Sequence, residues 1–293
     1  MSEDVENKIW NTMEILDWAT NYFKKKNIDT PRLDAQLLLS HCLKISKMEL
    51  YAYFDRPISV EERTHFKELI KRRIKREPVA YILGTKGFWK YDFKVNKHVL
   101  IPRPDSEVLI EKSIDWIKDK KESTLSVIDI GTGSGCLAIS LKKELPDIQM
   151  VAVDISKEAL EIAKENATSL ECEIEFIESN LLSKIKPQLF DLIISNPPYI
   201  SSNEYQMLQE EITQYEPILA LVSENNGLEH YEKILKSSKQ YLKDDGLLLI
   251  EIGDHRKNDL LALAKNHFIH TNIGLDLSGN ERVLECFGKK DSQ

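Results

Sequence analysis

The chain of 293 residues is poor in the side chains that build most metal and disulfide sites. Its four cysteines, Cys42, Cys136, Cys172 and Cys286, are scattered without a CxxC pair, which argues against zinc and for reduced thiols. The seven histidines show no HExxH or comparable ligand spacing. No apolar run approaches the ~20 residues that span a bilayer. The first eight residues, MSEDVENK, are acidic rather than basic-then-apolar as in a secretory leader. A cytoplasmic protein without membrane attachment is the expectation. Positive charge is in deficit, with 40 Lys and Arg against 48 Asp and Glu, and the net charge of −8 speaks against general affinity for nucleic acid. Glycine is sparse as well. Only 11 are present, so three within five residues (Gly131, Gly133, Gly135) mark a special stretch of backbone.

The length allows two domains and a substantial core. Residues 1–78 read as a helical, substrate-recognition domain. Ile9, Met13, Leu16 and Phe23 lie close to helical spacing within a segment from Val5 to Lys26. Thr30-Pro31 opens a second segment through Leu43, and Ser46-x-x-Glu49 and Ser59-x-x-Glu62 are capping boxes for two more. The last helix carries a basic run (Lys67, Lys71, Arg72, Arg73, Lys75, Arg76), which reads first as a solvated helix face and second as a contact for RNA or an acidic partner. Residues 79–100, with Gly84, Gly87 and alternating aromatics, read as a β-hairpin connector. Leu100 to Glu107 follows, where two prolines flank Arg103 and Ser106 is placed to cap a helix over Glu107–Lys118.

Residues 101–293 read as an α/β domain. Strand-like runs at Leu125–Ile130, Gln149–Asp154, Ile174–Ile177, Phe190–Ser195 and Leu247–Ile252 alternate with helical patterns at Cys136–Glu144, Lys157–Ser169, Leu228–Leu242 and Lys257–His267. Two further strands in 268–287, joined through Ser278-Gly279-Asn280, form an antiparallel edge hairpin. The expected fold is a doubly wound, mainly parallel, seven-stranded Rossmann-like sheet. Ligands of such sheets bind beyond the carboxyl ends of the strands, where the strand order reverses.

The first of these strands ends in Asp129-Ile-Gly131-Thr132-Gly133-Ser134-Gly135 and runs into a helix, and the second ends in Asp154, placed to accept ribose hydroxyls. The loop has GxGxG spacing, not the GxGxxG of dinucleotide sites, and a carboxylate two residues ahead of it repels pyrophosphate. No Walker lysine follows, which disfavours ATP. S-adenosylmethionine carries ribose, ammonium and sulfonium without phosphate, so the electrostatics favour it over NAD. The fourth strand ends in Asn196-Pro197-Pro198-Tyr199, a stiff exit with free carbonyl acceptors and an aromatic, suited to gripping a flat amide or amine.

With VIDIGTGSG, Asp154 and NPPY in place, the chain resembles the class I methyltransferases that methylate amino groups. REPVAYILG (76–84), LIPRPDSE (100–107), NPPYI (196–200), EPILAL (216–221) and GNERV (279–283) narrow the resemblance, across nearly the whole chain, to the HemK/PrmC family. That family methylates the glutamine N5 of the Gly-Gly-Gln loop in peptide chain release factors. The resemblance implies cofactor contacts at Gly131 to Gly135, Asp154, Asn180, Leu181 and Asn196; Asp129, beside the loop, is expected to join them by attracting the cationic end of the cofactor. The resemblance implies substrate contacts at Asn196, Pro197, Pro198 and Tyr199, with Asn196, Pro197 and Tyr199 carrying the chemistry; Arg103, fixed on its stiff proline-flanked segment, is expected as a further substrate contact. The resemblance also implies a monomer. Where the family commonly has an aspartate for the adenine amino group, this chain has Asn180, which still offers a carbonyl. No His or Lys beside NPPY offers a strong base. Competing readings are a glutamine methyltransferase of a ribosomal protein, an adenine-N6 nucleic-acid methyltransferase, which would bring a strongly basic target region, and a non-catalytic binding module.

Overall fold

The computed structural model describes residues 9–120, 124–254, 256–276 and 278–290. They fall in two compact units: residues up to Gly84 together with Glu210–Tyr215, and Thr85–Gln209 together with residues from Glu216 onward.

The first unit is helical. Asn11 accepts from the Glu14 N–H while the Glu14 carboxylate accepts from the Asn11 N–H, and this reciprocal cap starts the helix Thr12–Lys25. The expected start near Val5 falls on residues 5–8, which lie outside the described residues. Ile9 precedes the helix and is exposed, so it takes no part in the apolar stripe. The boxes at Ser46 and Ser59 form as their spacing predicts and head Lys47–Ala52 and Val60–Arg73. Thr30, ahead of Pro31–Leu43, makes no cap bond; its hydroxyl donates to Asp34 Oδ1 instead. Leu16, Phe23, Leu38, Leu39, Leu50 and Phe66 form the buried centre.

Much of the basic run is spent inside this unit. Lys71 pairs with Glu68, Arg72 with Glu77, and Arg76 donates to the carbonyl of Asn27. Arg73 is buried between Asp34 (2.6 Å) and Glu211 (2.7 Å). The hairpin connector is shorter than its sequence predicts. Pro78, whose missing N–H costs nothing at a helix start, precedes a short helix Val79–Leu83 that sends Ile82 into the helical core. Only Thr85–Phe88 (β1) and Tyr91–Lys94 (β2) pair as a hairpin, and they belong to the second unit.

The second unit is built on a seven-stranded sheet of Ser126–Ile130 (β3), Gln149–Asp154 (β4), Glu175–Glu178 (β5), Phe190–Ser195 (β6), Leu242–Glu251 (β7), Phe268–Leu275 (β8) and Glu281–Lys289 (β9). The spatial order is β5-β4-β3-β6-β7-β9-β8; the first five strands are parallel, and β9 runs antiparallel to both of its neighbours, β7 and β8. Period-two alternation sends Val127 to one apolar layer and Ile128 and Ile130 to the other. β7 begins at Leu242, earlier than expected, because Leu242 pairs with Phe190 across a register shift. The winding reverses between β3 and β6, whose registers match Ile130 with Ser195 and, on the other side, Ile130 with Val153. The strand exits at Gly131, Asp154 and Asn196 therefore emerge at one level of the sheet.

Candidate active site

The glycine loop is shaped by backbone hydrogen bonds. The N–H groups of Gly131 and Thr132 both donate to the Val153 carbonyl, at 2.8 and 2.9 Å, and Gly135 N–H donates to Thr132 O at 2.8 Å. Gly135 has φ +81° and leads into the helix Cys136–Glu144. A Cβ there would lie 2.9 Å from Ile139 Cδ1, so both the conformation and the space require glycine. Asp154 completes the loop. Its Oδ2 accepts from Gly133 N–H (2.8 Å) and its Oδ1 from Ser156 N–H (2.9 Å). Burial raises its carboxyl above the usual value, against the pull of these donors. Each oxygen keeps a lone pair, and Asp154 lines a cleft of about 240 Å³ together with Gly131, Gly133, Leu181, Asn196 and Pro198.

Asp129, expected among the cofactor contacts, does not line this cleft. It is fully buried on the Val127 face, where Thr132 donates to its Oδ2 at 2.7 Å and its Oδ1 has no partner. Burial pushes its carboxyl up to about 7. It braces the loop from behind, and the negative charge at the cleft is that of Asp154.

Asn196 is half-buried at the exit of β6, and its Nδ2 donates to the Ser106 hydroxyl oxygen at 3.0 Å. Ser106 does not cap the helix Glu107–Lys118 with its side chain, as its position had implied. Pro198 faces the cleft, whereas Pro197 is buried beside it. Tyr199 is half-buried and packs with its ring over Gly253. Its phenol is raised to about 12, first by burial and then by Glu251.

Asn180 and Leu181 also line the cleft. Leu181 holds φ +51°, a left-handed conformation that costs a leucine energy and is concentrated at binding sites. Arg103 lies against the cleft but is ion-paired to the buried Glu216, which also accepts from Ile101 N–H. Sequence reading found no histidine near the motif, yet His230 lines the same cleft, its Nδ1 2.8 Å from Ser223 Oγ. Burial lowers its pKa, so the ring is neutral near pH 7.

A family model for the PrmC N-terminal domain matches residues 14–84, and one for the methyltransferase small domain matches residues 114–221. The release factor glutamine methyltransferase of Rhodopirellula baltica is 40% identical over 291 residues, covering 97% of this chain and 98% of that protein. Its counterpart in Geobacter sulfurreducens is 37% identical, covering 94% and 96%. The chain belongs to the release factor glutamine methyltransferase family. Among solved structures, the hMettl16 catalytic domain in complex with an RNA hairpin has a TM-score of 0.55 at 18% identity, covering 69% of this chain and 77% of that one. This is a likeness of fold alone.

The cofactor of this methyltransferase domain is S-adenosylmethionine, and the cleft fits it. The acidic group on the cleft is held by backbone N–H donors and so keeps lone pairs free for hydroxyl donors such as those of a ribose, with no lysine placed for a phosphate in the glycine loop. Two further residues of this family member escaped the sequence reading. Asn166, in the helix Lys157–Ser169, gives Nδ2 to the Ser134 carbonyl at 2.8 Å and exchanges hydrogen bonds with the Lys94 backbone, pinning the glycine loop to the β1–β2 hairpin. Glu251, the last residue of β7, lies buried near Ser106 and Tyr199. Neither sits in a motif, and no local spacing marks them.

Proposed function

We propose that this chain transfers the methyl group of S-adenosylmethionine to the side-chain amide nitrogen of the glutamine in the Gly-Gly-Gln loop of peptide chain release factors. The observation that carries the reading is the setting of Asn196. It leaves the central strand beside the glycine loop, and with Nδ2 given to Ser106 its Oδ1 is the atom that remains for a ligand.

An amide nitrogen is a weak nucleophile because its lone pair is delocalised into the carbonyl. Asn196 Oδ1 and the Pro197 carbonyl accept its two hydrogens, which raises electron density on nitrogen and fixes its direction of attack. S-adenosylmethionine supplies a methyl group activated by its sulfonium. Tyr199 packs on the amide plane and excludes water. Asp154 would accept the ribose hydroxyls of the cofactor, and Arg103, steadied by Glu216, faces the incoming loop. Methyl transfer leaves the neutral thioether and an amide nitrogen bearing the new methyl group, both hydrogens and a positive charge. This N-protonated cation is a strong acid and releases one proton to water without an ionised base.

An adenine-N6 activity on nucleic acid would call for a basic face, and Lys71, Arg72 and Arg73 are engaged by carboxylates. The test is incubation with labelled S-adenosylmethionine and three acceptors: a release factor, its Gln→Ala variant in the Gly-Gly-Gln loop, and DNA. Label confined to the intact release factor is expected. Label on DNA, or equal label on the Gln→Ala variant, rejects the reading. Asn196→Ala removes turnover and leaves cofactor affinity within about twofold; equal loss of both rejects its role.

A further inference from the structure

A side-chain amide has two faces, and only one of them serves as an acceptor. If Asn196 turned by 180°, its NH₂ would meet the NH₂ of the substrate amide, donor against donor. Something must therefore choose the orientation. Ser106 is the neighbour in contact, but a hydroxyl can donate or accept, so by itself it chooses nothing. Ser106 is 2% exposed, and it faces the carboxyl group of Glu251, also 2% exposed, whose Oε2 has no hydrogen-bond partner.

We propose that Glu251 and Ser106 are positioning residues for Asn196. An ionised Glu251 only accepts, so it takes the Ser106 hydrogen. The Ser106 oxygen then faces Asn196 as an acceptor, Nδ2 turns toward it, and Oδ1 turns to the substrate. A protonated Glu251 reverses the chain: it donates to Ser106, whose hydrogen passes to Asn196 Oδ1, and the amide presents the wrong face. This inference rests on the reading of Asn196 as the acceptor for a glutamine amide.

Burial raises the Glu251 carboxyl to about 7, with Ser106, Arg282 and Arg103 pulling it down and Asp105 pushing it up. The other titratable groups coupled to it are the phenols of Tyr199 and Tyr231 and the thiol of Cys136. The reversal therefore occurs as pH falls through about 7.

The test uses the full chain, labelled S-adenosylmethionine and an intact release factor. Ser106→Ala and Glu251→Gln are each expected to lower kcat by about tenfold or more while the S-adenosylmethionine dissociation constant stays within about twofold. Wild-type kcat falls on the acid side of about 7, and Glu251→Gln removes that fall. A second readout needs no acceptor. In chain labelled with nitrogen-15 asparagine, the Asn196 side-chain signal, assigned by its loss in Asn196→Ala, shifts through about pH 7 in the wild type and stays fixed in Glu251→Gln. Unchanged kcat in both variants, equal losses of kcat and cofactor binding, or a persisting Asn196 titration in Glu251→Gln overturns the proposal. A wild-type chain that leaves release factor unlabelled overturns the substrate reading instead, and the nitrogen-15 signal still decides the role of Glu251.

Discussion

The ring of Tyr199 lies so close over Gly253 that a Cβ on Gly253 would sit 2.7 Å from its Cδ2. Gly253 has an ordinary backbone conformation, so Gly253→Ala introduces a clash and not a strained φ. Overpacking of this kind costs about 1–3 kcal/mol when the neighbour must move. Here the neighbour is the aromatic wall of the proposed amide site. We expect Gly253→Ala to lower kcat by roughly tenfold to a hundredfold with little change in cofactor affinity. Single-turnover methylation beside calorimetric titration with S-adenosylmethionine checks this. An unchanged kcat would show that the ring position does not matter.

Asp154 is held by two N–H donors, from Gly133 and Ser156. Asp154→Asn keeps one acceptor but turns an NH₂ toward one of those donors and removes the charge. Hydrogen bonds to charged groups contribute about 1.5–3 kcal/mol, so S-adenosylmethionine should bind about tenfold to a hundredfold more weakly. Since burial raises the Asp154 carboxyl, wild-type affinity should also decline as pH falls into the acidic range, and Asp154→Asn should not share that decline. Calorimetry across pH separates the two effects.

The sheet, the glycine loop and the Asn196 exit were legible because their signals are local. Alternation, turn glycines and a strand-terminal acid need only a few neighbours in sequence. The partners of polar side chains were not, because tertiary approach decides them. Ser106 read as a helix cap, and its hydroxyl is taken by Asn196, 90 residues away. Arg103 read as a guanidinium held on a stiff, proline-flanked segment, with no partner legible nearby, and it meets Glu216, 113 residues on. Asn166 read as an ordinary helical position, yet it reaches Lys94, 72 residues back. The acid beside the glycine loop was visible as Asp129, but strand alternation turns it into the core and leaves Asp154 as the acid on the cleft.

Arg73 is the buried hub of the helical unit, at 2.6 Å from Asp34 and 2.7 Å from Glu211. Arg73→Met leaves the Asp34 carboxylate buried without its cation, a loss of about 3–5 kcal/mol. Removing both members, in Arg73→Met with Asp34→Leu, should recover much of that loss. Urea unfolding measures the two costs. Hydrogen exchange should place the single variant's loosening in Pro31–Leu43, Val60–Arg73 and Glu210–Tyr215. Equal destabilisation by the single and double variants would mean that packing, not the unpaired charge, sets the cost.

Asp129 should make stability depend on pH. Its ordinary value of 3.8 applies to the unfolded chain, and burial raises it to about 7 in the folded protein. Between these values the folded protein keeps a proton that the unfolded chain has already lost. Stability from this group is therefore fully present below about 4, declines as pH rises, and levels off above about 7. The decline amounts to about 4 kcal/mol at most. Asp129→Asn still offers Oδ1 to the Thr132 hydroxyl and does not titrate. Glu251, which titrates in the same range, is common to both proteins and cancels in the difference. Unfolding free energies at about pH 4.5, 6 and 7.5 should thus show Asp129→Asn gaining on the wild type at each step. A difference that stays constant across the three would place an ionised carboxylate in the core already at the lowest pH.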